Sequence, residues 1–239
     1  MRKGIPILAA LAALTLLAAC SEKDAAMRRE AIRNIQHPET LAEVQAFAQG
    51  EWRSLSIELR PTEDRTGSGA IASTYVTRNF TYLNAEKFTG IITLYGDGQG
   101  EAPLMAFEFK GDLQWGEPHP IAAGAWEINY VLSDGFAVTP LSPEAAAMLN
   151  QVPVEGIAPF EVGKKTDILK KAFPLFNIRE GQVVVDYDLI YFRNGMLFMG
   201  AKHVDGTPFD RPENRPGQLQ VPLARQSMDA DLVYGLASN

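Results

Sequence analysis

The chain has 239 residues, 46% of them hydrophobic, and carries 22 Lys+Arg against 29 Asp+Glu for a formal charge of −7. That acidity argues against a nucleic-acid partner, because gripping a phosphate backbone needs a basic face that displaces counterions. A single cysteine rules out an internal disulfide, so a domain of this length must hold together by burial and hydrogen bonds.

At the N-terminus Arg2 and Lys3 precede an apolar run, Ile5 to Leu17, that is too short to span a bilayer as a helix. The run ends in Leu17-Ala18-Ala19-Cys20, small residues leading into the only cysteine. This resembles a bacterial lipoprotein signal, which implies cleavage after residue 19 and acylation of Cys20. An ordinary cleaved signal with an incidental cysteine is the alternative. Ser21 follows Cys20 where an aspartate would imply inner-membrane retention, so the expected site is the outer membrane, with the body periplasmic or at the cell surface. Losing Arg2 and Lys3 leaves 20 basic against 29 acidic residues, a charge of −9. The membrane is therefore reached through the acyl chains, at about 0.8 kcal/mol per buried methylene, and not through a polybasic patch.

Residues 20–49 read as a tether. Met27, Ile32, Ile35, Leu41, Val44 and Phe47 recur at helical spacing, broken by Pro38. Such helices could lie on the membrane; packing on the domain is the simpler reading. From Trp52 the pattern turns to strands, expected near 51–60, 71–82, 87–95, 104–115, 124–132, 135–139, 182–192, 196–202 and 219–224. Ser133-Asp134-Gly135 and Arg193-Asn194-Gly195 read as turns. Ser142-Pro143-Glu144 opens a helix over Ala145–Leu149, and Thr166-Asp167 leads a second short helical segment from Ile168 to Phe173. Residues 150–165 form a loop over one end. The expected class is mainly β: an antiparallel, lipocalin-like barrel, curved or incompletely closed, over 50–226, with short helical insertions and a tail at 227–239.

Chemistry-bearing motifs are sparse. His37, His119 and His203 lie far apart, without metal-ligand spacing, and no serine sits in a nucleophile elbow. Neither a metal, a cofactor nor a catalytic residue is expected. Asp186 and Asp188 share one face of a strand, about 7 Å apart, as paired acid and base could. The commoner reading is a solvated strand face. The predicted strands carry many aromatics, including Trp52, Phe80, Tyr82, Phe107, Phe109 and Trp126. In a curved barrel these line either a ligand cavity or a filled core, and alternation alone does not separate the two.

Several segments occur in one order over residues 50–224. They are Gly50-Glu51-Trp52-Arg53-Ser54, Glu58-Leu59-Arg60-Pro61, Thr77-Arg78-Asn79-Phe80-Thr81-Tyr82, Leu94-Tyr95-Gly96-Asp97 and Val138-Thr139-Pro140-Leu141-Ser142. The last and most specific is Asp205-Gly206-Thr207-Pro208-Phe209-Asp210-Arg211-Pro212-Glu213-Asn214-Arg215-Pro216, followed by Val221-Pro222-Leu223. Together they resemble the domain of the adenomatosis polyposis coli down-regulated family, known from animal antagonists of Wnt signalling. The resemblance implies a barrel-like domain with an apolar cavity that accommodates lipid. It does not extend to Wnt antagonism, since the leader reads as bacterial. This chain has length for one such domain where the animal proteins carry two. Where they place two cysteines it has Ile57 and Gly100.

The expectation is thus a non-catalytic, lipid-anchored envelope protein that takes a lipid or other apolar ligand. Trp52, Phe80, Tyr82, Phe107, Phe109 and Trp126 would line the site, and Arg60 and Arg78 would hold an anionic head at the rim. A Glu58–Arg78 structural pair is the plainer role for the arginines. The Asp205–Arg215 stretch reads as a proline-pinned packing loop. The competing readings are a filled barrel serving an envelope protein partner, and, behind it, an envelope lipid or glycan hydrolase.

Overall fold

The computed structural model of the protein describes residues 38–63 and 71–226. Cys20, the expected signal segment, the first part of the expected tether and the residues from 227 lie outside the described residues.

Among the described residues helix α1 (Leu41–Ala48) comes first. Thr40 fixes its start: the Thr40 hydroxyl accepts from the Glu43 amide at 3.3 Å, and the Glu43 carboxylate accepts from the Thr40 amide at 2.9 Å. Ten strands follow: β1 (Gly50–Ser54), β2 (Glu58–Glu63), β3 (Ile71–Tyr82), β4 (Lys87–Tyr95), β5 (Pro103–Pro118), β6 (Trp126–Pro140), β7 (Thr166–Asp167), β8 (Val185–Arg193), β9 (Met196–Met199) and β10 (Leu223–Arg225). Helix α2 (Pro143–Leu149) lies between β6 and β7, with Ser142 accepting the Ala145 amide and Pro143 in the first turn. Among the described residues no helix is long and apolar enough to cross a membrane.

All ten strands belong to one antiparallel sheet with neighbours in the order β1, β10, β9, β8, β6, β5, β4, β3. The sequence of pairings then returns to its start, because Trp52 of β1 lies opposite both Arg225 of β10 and Phe80 of β3. The sheet is a ring. Where β1 leaves the edge of β3, β2 takes over, setting Glu58 opposite Val76 and Arg60 opposite Thr74. Alternation gives each strand one inner face. Register aligns those faces in rows: Trp52, Phe80, Gly90, Phe109 and Phe136 form one, and Arg78, Ile92, Phe107 and Val138 the next.

One end of the ring, here the floor, is shut by α1. Val44 and Ala48 are buried, and Phe47 meets Phe192 edge-on at 5.0 Å. The Trp52 indole donates to the Ala48 carbonyl at 2.7 Å. Arg225 lies over the Trp52 ring at 4.5 Å and donates to the carbonyls of Gln49 and Phe47. This segment of the tether therefore packs on the domain. At the upper end β6 parts from β8 after Val131, and β7 pairs with Ala137 and Val138 instead. Residues 141–184 fill the opening, bringing Phe176 within 5.0 Å of Phe107 and Phe173 within 5.4 Å of Phe176.

Four expectations change. The strand expected at 51–60 is broken at 55–57, where the chain crosses from β1 to β2. Ser133-Asp134-Gly135 does not turn the chain; β6 runs through it with a register shift against β5. Gly111 permits that shift, since a Cβ there would stand 1.9 Å from the Val131 carbonyl oxygen. No helix forms over 168–173. Ile168 and Phe173 are each buried in the core, the Ile168 amide donates to the Phe136 carbonyl, and a 3-10 turn begins only at Pro174. The last strand is short, Leu223–Arg225, with Leu219 making only a bridge to Gly200. The Asn194-Gly195 hairpin is as expected, both residues having positive φ.

Candidate functional site

Elementary alternation and the observed register put most of the expected ligand residues on one inner face, but at different depths. Trp52 is fully buried at the floor, wedged between α1 and Phe192. Trp126 lies opposite Ile190, half-buried, with its indole N–H buried and without a partner. Beside them Phe80, Tyr82, Phe88 and Tyr130 form a packed stack, with Phe88 and Tyr130 centroids 4.9 Å apart, and Phe109 borders it at 5.6 Å from Phe80. The Tyr82 and Tyr130 hydroxyls share a 2.6 Å hydrogen bond, and burial pushes both phenols well above their ordinary range. Phe107, in the row of Arg78 and Ile92, is buried against Phe136 and Phe176. The lower half of the ring is filled.

The upper half differs. Ile92 and Leu94 of β4 and Phe109 of β5 belong to the inner face by register, yet each is partly exposed. Solvent therefore reaches the inside of the ring at this level. Phe109 lies flat on the wall because residue 90 is glycine; a Cβ there would stand 2.2 Å from its ring.

Beside these apolar residues the β2–β3 wall carries three charges. Arg78, 2% exposed, donates through Nε to both Glu58 carboxylate oxygens at 3.0 Å and through Nη2 to the Val221 carbonyl at 2.7 Å. Glu58 also accepts from Ser54 Oγ at 2.6 Å. Arg60 reaches Gln220 at 3.1 Å and lies 3.9 Å from Glu58. Burial first, then the charge of Arg78, lowers Arg60 to about 10, leaving it protonated at neutral pH. Arg78 Nη1 and Arg60 Nε are buried without hydrogen-bond partners. The arginines thus stand within the wall and not at a rim, and the Glu58–Arg78 pair is present.

Asp188 corrects the expectation of a solvated face. It is 2% exposed on the inner face, opposite Ile128, and continues into buried Ile190 and Phe192. Its Oδ1 accepts the Leu189 and Gly200 amides at 2.7 and 2.8 Å, which seals the point where β8 and β9 separate. Burial, reinforced by Asp186, pushes its carboxyl up to about 6. Asp186 pairs with Lys202 at 3.1 Å. The outward residues of β8 are covered by the 205–216 loop. There Phe209 is buried under Lys202, and Arg215 ties β6 to β8 through the Asp188 carbonyl (2.5 Å) and Asn129 (3.0 Å). That loop is packing, as expected.

Among the described residues no group of three or more His, Cys, Asp or Glu converges as metal ligands would. Two recesses are notable, and neither is inside the ring. One of about 390 Å³ lies on the outer side of β1, β3 and β4 around Arg53, Asn79 and Ile91. The other, about 120 Å³, lies under residues 150–160. Ile57 and Gly100 are neighbours: a Cβ on Gly100 would stand 2.9 Å from Ile57 Cδ1. No family model and no curated protein matches the chain.

Proposed function

We propose that the protein is a lipid-anchored envelope protein whose ring is a lipocalin-like β-barrel, taking a lipid or other apolar ligand into its upper half without catalysis. The observation that carries this reading is the partial exposure of Ile92, Leu94 and Phe109 on the inner face of a closed ring of strands. Apolar side chains that face inward and still meet water gain about 25 cal/mol per Å² when a guest covers them, before ordering costs. The resemblance to the adenomatosis polyposis coli down-regulated domain agrees with this, and it gains from the contact of Ile57 with Gly100, the positions that carry cysteines in that family. The acylated Cys20 supplies the membrane link and an outer-membrane location.

Native mass spectrometry of the protein from a bacterial host tests the reading. One bound lipid per chain, lost on delipidation and regained on incubation, is expected; protein that never carries or takes up lipid refutes it. A filled barrel that only presents loops to an envelope protein partner is favoured by the packed lower half and by both recesses lying outside the ring. It predicts that second outcome. The raised carboxyl of Asp188 would suit a general acid, but its engagement with two amides suits a structural cap better.

A further inference from the structure

We infer that the ligand taken into the upper half is an anionic amphiphile, whose carboxylate or phosphate oxygens bind Arg78 Nη1 and Arg60 Nε while its tail lies on Ile92, Leu94 and Phe109. The inference rests on the proposed lipid-binding reading and adds the chemistry of the head. Three observations support it. The β2–β3 wall buries two guanidinium groups, and within 4 Å they share a single carboxylate, that of Glu58. Each arginine keeps a buried N–H without an acceptor, and a buried donor left unpaired is unfavourable. Asp188 and Asp186 of the facing wall attract Arg60 through space, but their close partners are others, the Leu189 and Gly200 amides for Asp188 and Lys202 for Asp186, so the two N–H groups stay open.

Geometry joins head and tail. Arg78 shares its row with Ile92, and Glu58 opposite Val76 shares the next with Leu94. The two N–H groups therefore stand on the same wall as the exposed apolar residues. An oxyanion there would complete both guanidinium groups by charge-assisted hydrogen bonds without disturbing the Glu58–Arg78 pair.

Parinaric acid and its methyl ester share one tail and differ only in charge. Binding of each to the delipidated full-length protein is read by energy transfer from its tryptophans. The acid should bind at least tenfold tighter than the ester. Arg60→Gln should abolish that preference, bringing the acid down to the affinity of the ester, and Arg60→Lys should restore part of it. A lysophosphatidate competed against a fatty acid of equal tail length then tells a phosphate head from a carboxylate one, and tighter binding of either supports the inference. Equal binding of acid and ester overturns the anionic head and leaves the lipid-binding reading standing. A preference for the acid that survives in Arg60→Gln also overturns this seat. Failure of both probes to bind overturns the lipid-binding reading and this inference together.

Discussion

The two halves of the ring use the same strands differently. In the lower half Trp52, Phe80, Tyr82, Phe88 and Phe192 pack on the inner face, α1 covers the end, and Arg225, opposite Trp52 in register, lies over its ring. In the upper half β2 and β3 carry Glu58, Arg60 and Arg78 on the inner face, and β6 and β8 separate to admit an insertion. Packing density makes the first half stable and leaves it no room. Buried charges make the second costly to build, because each must be paired or hydrogen-bonded to offset its lost hydration.

The largest way to break this contrast is at the floor. Trp52→Ala removes a fully buried ring and orphans the Ala48 carbonyl, so urea unfolding should show a loss of about 3–5 kcal/mol. A loss below 1 kcal/mol would mean that the floor does not hold the ring. The upper half should instead respond to a staple. An Ile57→Cys, Gly100→Cys double variant should form a disulfide whose oxidised form is more stable than its reduced form by about 2–4 kcal/mol. Comparing two redox states of one variant cancels the strain of a non-glycine residue at the positive φ of Gly100.

Asp188 gives the contrast a pH dependence. Its folded value near 6 stands above the ordinary 3.8, so between these values the folded chain holds a proton that the unfolded chain has lost. Stability from this group therefore falls as pH rises from about 4 to 6, by roughly 2–3 kcal/mol, and stays lower above 6. Asp188→Asn keeps an acceptor for the Leu189 and Gly200 amides. It should match the native protein at pH 4 and exceed it at pH 7.5; an unchanged pH slope would show that Asp188 does not titrate there. The smallest effect belongs to α2: Ser142→Ala should cost about 1 kcal/mol in the same assay and leave ligand uptake unaltered.

Legibility followed locality. Strands β3 and β4 occupy the expected 71–82 and 87–95 because one buried face imposes clean alternation. The Ser142-Pro143 start of α2 and the Asn194-Gly195 turn were readable from single residues whose backbone preferences are strong. Ser133-Asp134-Gly135 misled because it has a turn's composition, while Gly111 on the neighbouring strand decides that the chain runs straight through. Asp188 misled for another reason. Both faces of 183–192 end in apolar residues, and only the 205–216 loop, folding over the outer one, turns the aspartates inward. Arg225 carried no signal at all, since its partners Phe47, Gln49 and Trp52 lie at the opposite end of the domain's sequence.

The central claim is that the upper interior, and no other surface, takes the acyl tail. The most direct measurement is the set of nuclear Overhauser contacts between the methylenes of a ¹³C-labelled fatty acid and the protein. The account predicts contacts to Ile92, Leu94 and Phe109 and none to Trp52 or Phe192. Contacts confined to the outer groove around Arg53 and Ile91, or none at all, would contradict it.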